Sequence, residues 1–95
     1  MKVITQSIHF DADQKLLDFI NKRTNKLHQF YEDIIDAEVI LRAEKASIAQ
    51  NKMVEIKLSV PGKDLFAKKT AESFEKATDL ALDALKTQIE KKKTK

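Results

Sequence analysis

The chain has 95 residues, of which 42% are hydrophobic and 35% charged, with a formal net charge of +3 at pH 7. This length suits one small domain with a single modest core, and the composition excludes a disordered chain. Without cysteine there is no disulfide framework and no thiolate metal site. No signal-peptide pattern and no apolar run of roughly 18 residues is present, so we expect a cytoplasmic protein without membrane contact.

The first third of the chain predicts a strand followed by a helix. Residues 2–10 alternate with a period of two, which is typical of a strand. Asp13 is a predicted N-cap, and the apolar residues after it keep helical spacing to about His28. Phe30 and Tyr31 are predicted to close the end of this helix against the core. The opposite face of the helix carries three cations, which are Lys22, Arg23 and Lys26.

The middle of the chain predicts three further strands. Residues 35–43 and 52–60 alternate again, and the aperiodic stretch 44–50 between them predicts a loop. The only proline and the only glycine of the chain are adjacent at 61–62. They predict a tight hairpin turn into a short fourth strand at 65–69.

The last third of the chain, residues 70–95, predicts one amphipathic helix that ends in a basic tail at about 90–95. From Lys86 to the end there are five lysines and one glutamate. Positive charge suits the negative end of the helix dipole, so part of it serves the helix itself. Apolar residues at steps of three and four form the predicted core-facing stripe, which is Phe74, Ala77, Ala81, Leu85 and Ile89.

The predicted element order is β-α-β-β-β-α. The first helix joins two strands as a crossover, which makes those strands parallel and the connection right-handed. Short turns make the other strand pairs antiparallel. Because each helix must bury an apolar stripe and one sheet face can receive both, we expect an α+β two-layer sandwich. It has a four-stranded mixed sheet with two helices packed on one face, and residues 1–95 form one domain.

The sequence contains no constellation of catalytic residues or metal ligands. His9 and His28 lie on separate predicted elements, and no glycine-rich loop exists because Gly62 is the sole glycine. Asp11 and Asp13 flank a helix start, where capping explains them better than acid–base chemistry. We therefore expect that the chain is not an enzyme, has no catalytic residues, and binds no cofactor, metal or small-molecule substrate.

The cations of the two helices are the remaining functional signal. For any one of them a solvated surface is the alternative, since most exposed charges are only that. If the helices pack side by side, their solvent sides form one continuous surface, and neutralising several phosphates releases condensed counterions. The residues predicted to contact RNA phosphates are Lys22, Arg23, Lys26, Lys86, Lys91, Lys92 and Lys93.

The chain lacks the patterns of the common DNA-binding classes, with no helix-turn-helix, zinc finger or zipper heptads. Aromatic residues make up only 6% and give the strands no pair for stacking single-stranded bases. A general double-stranded RNA module that recognises duplex shape is therefore one alternative function. Another is a protein–protein adaptor that uses the exposed sheet face, where Ile40 and Met53 are expected to form a small apolar patch.

A set of short marks runs along the whole chain in a fixed order and spacing. They are Arg23 with Lys26 and Leu27, the run AEVILRAEK at 37–45, the turn at 60–62, and Asp79, Leu85, Gln88, Ile89 and Lys91. In these marks the sequence resembles the ribosome hibernation factors. That family comprises hibernation-promoting factor and ribosome-associated inhibitor A, the latter also called protein Y or sigma modulation protein.

The resemblance implies the same β-α-β-β-β-α fold and a specific function. Such proteins bind the small ribosomal subunit in the channel for messenger and transfer RNA, and hold the ribosome inactive under stress. Basic helix residues contact ribosomal RNA phosphates, and by position Arg23, Lys26 and Lys91 match such sites. The other four cations above follow from their location alone. The length matches the family's short form, without a C-terminal dimerisation domain, and we expect a monomer when free.

The chain departs from the family's pattern at several positions. Many relatives have lysine in place of Ala84 and arginine in place of Thr87, and Gln29 stands at another position that is often basic. The Met-Tyr pair that often opens the last helix is Phe-Glu here, at 74–75. We expect Lys86, Lys92 and Lys93 to supply the charge from neighbouring positions.

Overall fold

The computed structural model describes residues 1–44 and 50–93, apart from the side chains of Lys92 and Lys93. The elements follow one another in the predicted β-α-β-β-β-α order, and most of the predicted loop at 44–50 lies outside the described residues. The elements are β1 (Lys2–Ile8), α1 (Gln14–Phe30), β2 (Asp36–Ala43), β3 (Lys52–Val60), β4 (Lys63–Ala71) and α2 (Phe74–Lys93).

The four strands form one mixed sheet in the order β1-β2-β3-β4. β1 pairs with β2 in parallel, as the crossover through α1 requires, and the two hairpin pairs are antiparallel. α2 packs on β3 and β4, while α1 contacts β1 and lies against α2. The predicted α+β sandwich, with a four-stranded mixed sheet and two helices, is therefore confirmed.

The core lies between the sheet and the two helices. Because strand side chains alternate, one face of each central strand is apolar and points at the helices. On this face, the buried residues of the central strands are Ala37, Val39, Leu41, Val54, Ile56, Leu58 and Val60. The helices bury Leu16, Ile20, Leu27, Phe74, Ala77, Ala81, Leu82, Leu85 and Ile89. The predicted apolar stripe of α2 is thus buried along its whole length.

α1 begins where the sequence predicts. The carboxylate of Asp13 accepts the backbone N–H of Leu16 at 2.9 Å, which satisfies one of the unpaired donors of the first turn. At the other end the backbone N–H of Tyr31 donates to the carbonyl of Leu27 at 2.9 Å. Tyr31 packs partly against the core, as predicted. The prediction for Phe30 is wrong: it belongs to the last turn of α1 and is 37% exposed.

α2 begins at Phe74, four residues later than predicted, because the strand before it is longer. β4 pairs with β3 along its full length, from Lys63 to Ala71, so residues 70 and 71 belong to the sheet. The helix then starts at a side-chain cap, where the hydroxyl of Ser73 accepts the backbone N–H of Lys76 at 3.1 Å.

The hairpin between β3 and β4 turns at Pro61 and Gly62, as predicted. Gly62 has a φ of +91°, in the left-handed region that residues with a side chain rarely adopt. Proline followed by a left-handed glycine is the combination that a type II turn requires. This turn fixes the register of the hairpin, and with it the face on which each β4 residue lies.

The helix-free face of the sheet differs from the predicted apolar patch. Met53 is only 2% exposed, so it does not form an exposed patch with Ile40. The exposed apolar residues of this face are instead Ile4 and Phe66, on the two edge strands. Between them the side chains of Glu38 and Lys57 form an ion pair at 3.2 Å, and the hydrogen bond to Glu38 raises the Lys57 pKa. Charge therefore divides the apolar surface of this face.

Candidate nucleic-acid interface

α1 and α2 lie side by side, and an open groove of about 380 Å³ runs between their solvent sides. We call it the interhelical groove. Its lining residues are Arg23, Lys26, Leu27, Phe30, Asp79, Leu82, Asp83 and Lys86. Leu27 and Leu82 are buried and form an apolar floor, whereas the charged residues form the two walls.

Helical spacing explains why these side chains share one groove. On α1, Arg23 and Lys26 are three residues apart and therefore lie on the same face. On α2, Asp79 and Asp83 are four apart, and Lys86 follows three residues later. The structure thus brings together three of the predicted RNA-binding cations, and their role in RNA binding stays a prediction.

The Arg23 side chain is held by two partners. Its Nη1 donates to Asp79 Oδ1 at 3.1 Å, and its guanidinium carbon lies 4.7 Å from the centre of the Phe19 ring. The Arg23 and Asp79 side chains are 44% and 43% exposed, so water reaches the ion pair. An exposed pair of this kind contributes about 1 kcal/mol to stability at most. Its larger effect is to link the two helices and fix the direction of the guanidinium.

Lys86 is also held over an aromatic ring of α1. Its ammonium nitrogen lies 4.9 Å from the centre of the Phe30 ring, within the range of a cation–π interaction. Phe30 therefore lines the groove, a role that its predicted place in the core did not anticipate. The available signal was its spacing, since Phe30 follows Lys26 by four residues on the cationic face of α1.

Asp79 and Asp83 place negative charge inside a groove that the sequence interpretation treated as purely cationic. With three cations and two carboxylates, the groove has a net charge of +1. Asp79 is paired with Arg23. The Asp83 carboxylate, by contrast, has no ion pair or hydrogen bond within the described part of the chain, and its backbone carbonyl accepts the Thr87 hydroxyl.

The other predicted RNA-binding cations lie outside the groove lining. Lys22 is exposed on α1, next to Arg23 in sequence, and Lys91 is exposed near the end of α2. Lys92 and Lys93 continue the backbone of α2, but their side chains lie outside the described residues. Residues 94 and 95 of the predicted basic tail also lie outside them. The structure therefore leaves two predicted cations outside the groove lining and two side chains undescribed.

The described residues contain no group of three or more His, Cys, Asp or Glu side chains that is placed to hold a metal ion. Neither helix, over its described length, is apolar enough to cross a membrane. The His28 side chain contacts its own chain segment, with its Nε2 3.1 Å from the carbonyl oxygen of Glu32.

Comparison with known proteins identifies relatives over nearly the whole chain. The family described as "Sigma 54 modulation protein / S30EA ribosomal protein" matches residues 3–95. A protein of Pseudomonas putida named ribosome hibernation promoting factor is 27% identical over 95 residues. That alignment covers 100% of this chain and 89% of the relative.

Two solved structures have the same fold. A ribosomal subunit interface protein from Coxiella burnetii superposes with a TM-score of 0.88 at 22% identity, covering 100% of both chains. The N-terminal domain of protein Y from Thermus thermophilus has a TM-score of 0.74 at 22% identity, covering 95% of this chain and 93% of the domain. At this identity the two structures confirm the fold, whereas the sequence family rests on the match over residues 3–95.

Proposed function

The chain belongs to the Sigma 54 modulation protein / S30EA ribosomal protein family, and from this premise we propose that it is a ribosome hibernation factor. It binds the small ribosomal subunit in the channel for messenger and transfer RNA, and inhibits translation under stress. The observation that carries the proposal is the family match over residues 3–95. The relative from Pseudomonas putida, which is named for ribosome hibernation, supports it.

The solvent sides of α1 and α2 form the proposed contact surface for ribosomal RNA. Arg23, Lys26 and Lys86 lie together in the interhelical groove, and Lys22 and Lys91 are exposed elsewhere on the same two helices. With the lysines at the end of α2, this surface has enough cations for ~4–6 phosphate contacts. Each contact adds about −0.7 to −0.9 to the slope of log affinity against log salt concentration. The Arg23–Asp79 pair is exposed and weak, so exchange of Asp79 for a phosphate is inexpensive.

Inhibition follows from occupancy rather than from chemistry. A protein bound in the channel excludes messenger and transfer RNA while it stays there, and nothing in this mechanism requires a cofactor or a covalent step. The target also sets the location and the expected state of the chain. We place the protein in the cytoplasm, where ribosomes are, as a monomer when free.

Co-sedimentation with purified small subunits tests this function. We expect the protein to pellet with subunits at low salt, to be released as salt rises, and to be displaced by excess transfer RNA. Protein that stays in the supernatant at low salt contradicts the proposal. Equal affinity for subunits and for an arbitrary RNA duplex replaces it with the general double-stranded RNA module.

A further inference from the structure

The interhelical groove contains an acceptor that phosphate binding alone does not explain. Asp83 lines the groove from α2, three residues before Lys86, and its carboxylate has no partner among the described residues. Asp79, four residues earlier on the same helix, accepts the Arg23 guanidinium of α1 at 3.1 Å. A surface built only to attract phosphates has no use for an unpaired carboxylate, because it repels them.

The carboxylate restricts which partners fit the groove. A phosphate bound by Lys86 or Arg23 comes close to Asp83, and this repulsion lowers the affinity for any polyanion that offers phosphates alone. A partner that places a hydrogen-bond donor beside its phosphates turns the same carboxylate into an attractive contact. A carboxylate accepts hydrogen bonds only, and its bonds are among the stronger ones in proteins.

RNA has such a donor at every nucleotide. The ribose 2′-hydroxyl lies on the same backbone as the phosphates and is displayed in the wide, shallow minor groove of A-form RNA. DNA has the same phosphates and the same base amino groups but lacks this hydroxyl. Because the two duplexes also differ in shape, the contact to the ribose is tested by how Asp83 variants change the ratio of RNA affinity to DNA affinity.

Resting on the function proposed above, we propose that Asp83 determines specificity in the interhelical groove by accepting a hydrogen bond from a ribose 2′-hydroxyl. Arg23 and Lys86 bind the neighbouring phosphates. The groove thereby distinguishes RNA from DNA and from other polyanions.

Fluorescence anisotropy at low salt tests this assignment with an RNA duplex of about 16 base pairs, the span of double-stranded RNA modules, and a DNA duplex of the same sequence. The wild-type protein is expected to prefer RNA. Asp83→Ala removes both the charge and the acceptor. It should bind DNA about fivefold more tightly and lose about tenfold of the RNA-to-DNA preference.

Asp83→Asn separates the acceptor from the charge, because its amide oxygen still accepts a hydrogen bond. It is expected to bind both duplexes more tightly and to keep an RNA preference above that of Asp83→Ala. The control Asp64→Ala removes one negative charge from the helix-free face of the sheet. It should leave the RNA-to-DNA ratio at the wild-type value.

Three results overturn the inference: a wild-type protein that binds the RNA duplex no better than the DNA duplex, an unchanged ratio in Asp83→Ala, or identical ratios in the Ala and Asn variants. Circular dichroism confirms that the variants are folded, and alanine suits a helix interior. Sedimentation of the wild-type protein with small subunits is read separately. If the protein pellets while the ratio is unaffected, only this inference fails; if it does not pellet, the proposed ribosome function fails.

Discussion

Reversing two charges in the interhelical groove should abolish subunit binding without unfolding the domain. In the double variant Arg23→Glu/Lys26→Glu, two cations become anions, so the net charge of the groove changes from +1 to −3. Both side chains are exposed, and within the described part of the chain the ion pair lost is that between Arg23 and Asp79. The expected cost in folding stability is therefore about 1–2 kcal/mol, from the lost exposed pair and the new repulsion with Asp79.

The effect on binding is larger than the effect on stability. At about 0.1 M salt, each phosphate contact contributes about a factor of 5–8 through counterion release, so two lost contacts weaken binding about 25- to 60-fold. Repulsion between the new carboxylates and the phosphates adds to this loss. The slope of log affinity against log salt should become shallower by about 1.4–1.8, which a change in folding alone does not produce.

Co-sedimentation over a salt series measures both the affinity and the slope, and thermal unfolding followed by circular dichroism measures the fold. A matched control, Arg42→Glu/Lys68→Glu, reverses one arginine and one lysine on the helix-free face of the sheet. It changes the net charge of the protein by the same amount. Equal loss of binding in the control and the groove variant refutes the assignment of the interface to α1 and α2.

Three further substitutions test the fold and the groove. Leu85→Ala should lower the free energy of unfolding by about 2–5 kcal/mol in urea denaturation, since Leu85 is fully buried, and a smaller loss contradicts its place in the core. Asp13→Ala should cost about 0.5–2 kcal/mol by the same measurement, because the cap of α1 is lost, and Asp13→Asn should restore most of it. Phe30→Leu should weaken subunit binding about two- to fivefold, because it removes the ring beneath Lys86. Phe30→Tyr keeps the ring and should bind as the wild type does. Wild-type binding by Phe30→Leu refutes a role for the ring.

Alternation, helical spacing and caps were sufficient to predict most of the fold. Asp13 caps α1, residues 61 and 62 form the hairpin turn, and the stripe from Phe74 to Ile89 is buried, because each depends on residues that are close in sequence. The start of α2 depended on strand pairing instead. Ala71 suits a helix locally, yet pairing with β3 keeps both Thr70 and Ala71 in the sheet.

The errors at the surface have the same origin. Phe30 was assigned to the core, but its ring lies beneath Lys86, a residue 56 positions away, and this contact depends on how the two helices pack. Met53 was expected on an exposed face because it alternates with buried residues, and the structure buries it as well. The pairing of Arg23 with Asp79 likewise depends on how the two helices pack. The cations of a helix can be identified from its sequence. The carboxylates that lie near them in space can be identified only once the fold is known.

The interface between α1, α2 and ribosomal RNA is tested most directly by a cryo-electron microscopy map of the protein bound to small ribosomal subunits. We expect density for the protein in the channel for messenger and transfer RNA, with both helices against ribosomal RNA and Arg23, Lys26 and Lys86 within contact distance of phosphates. Density at another site on the subunit, or the helix-free face of the sheet turned towards the RNA, contradicts the account.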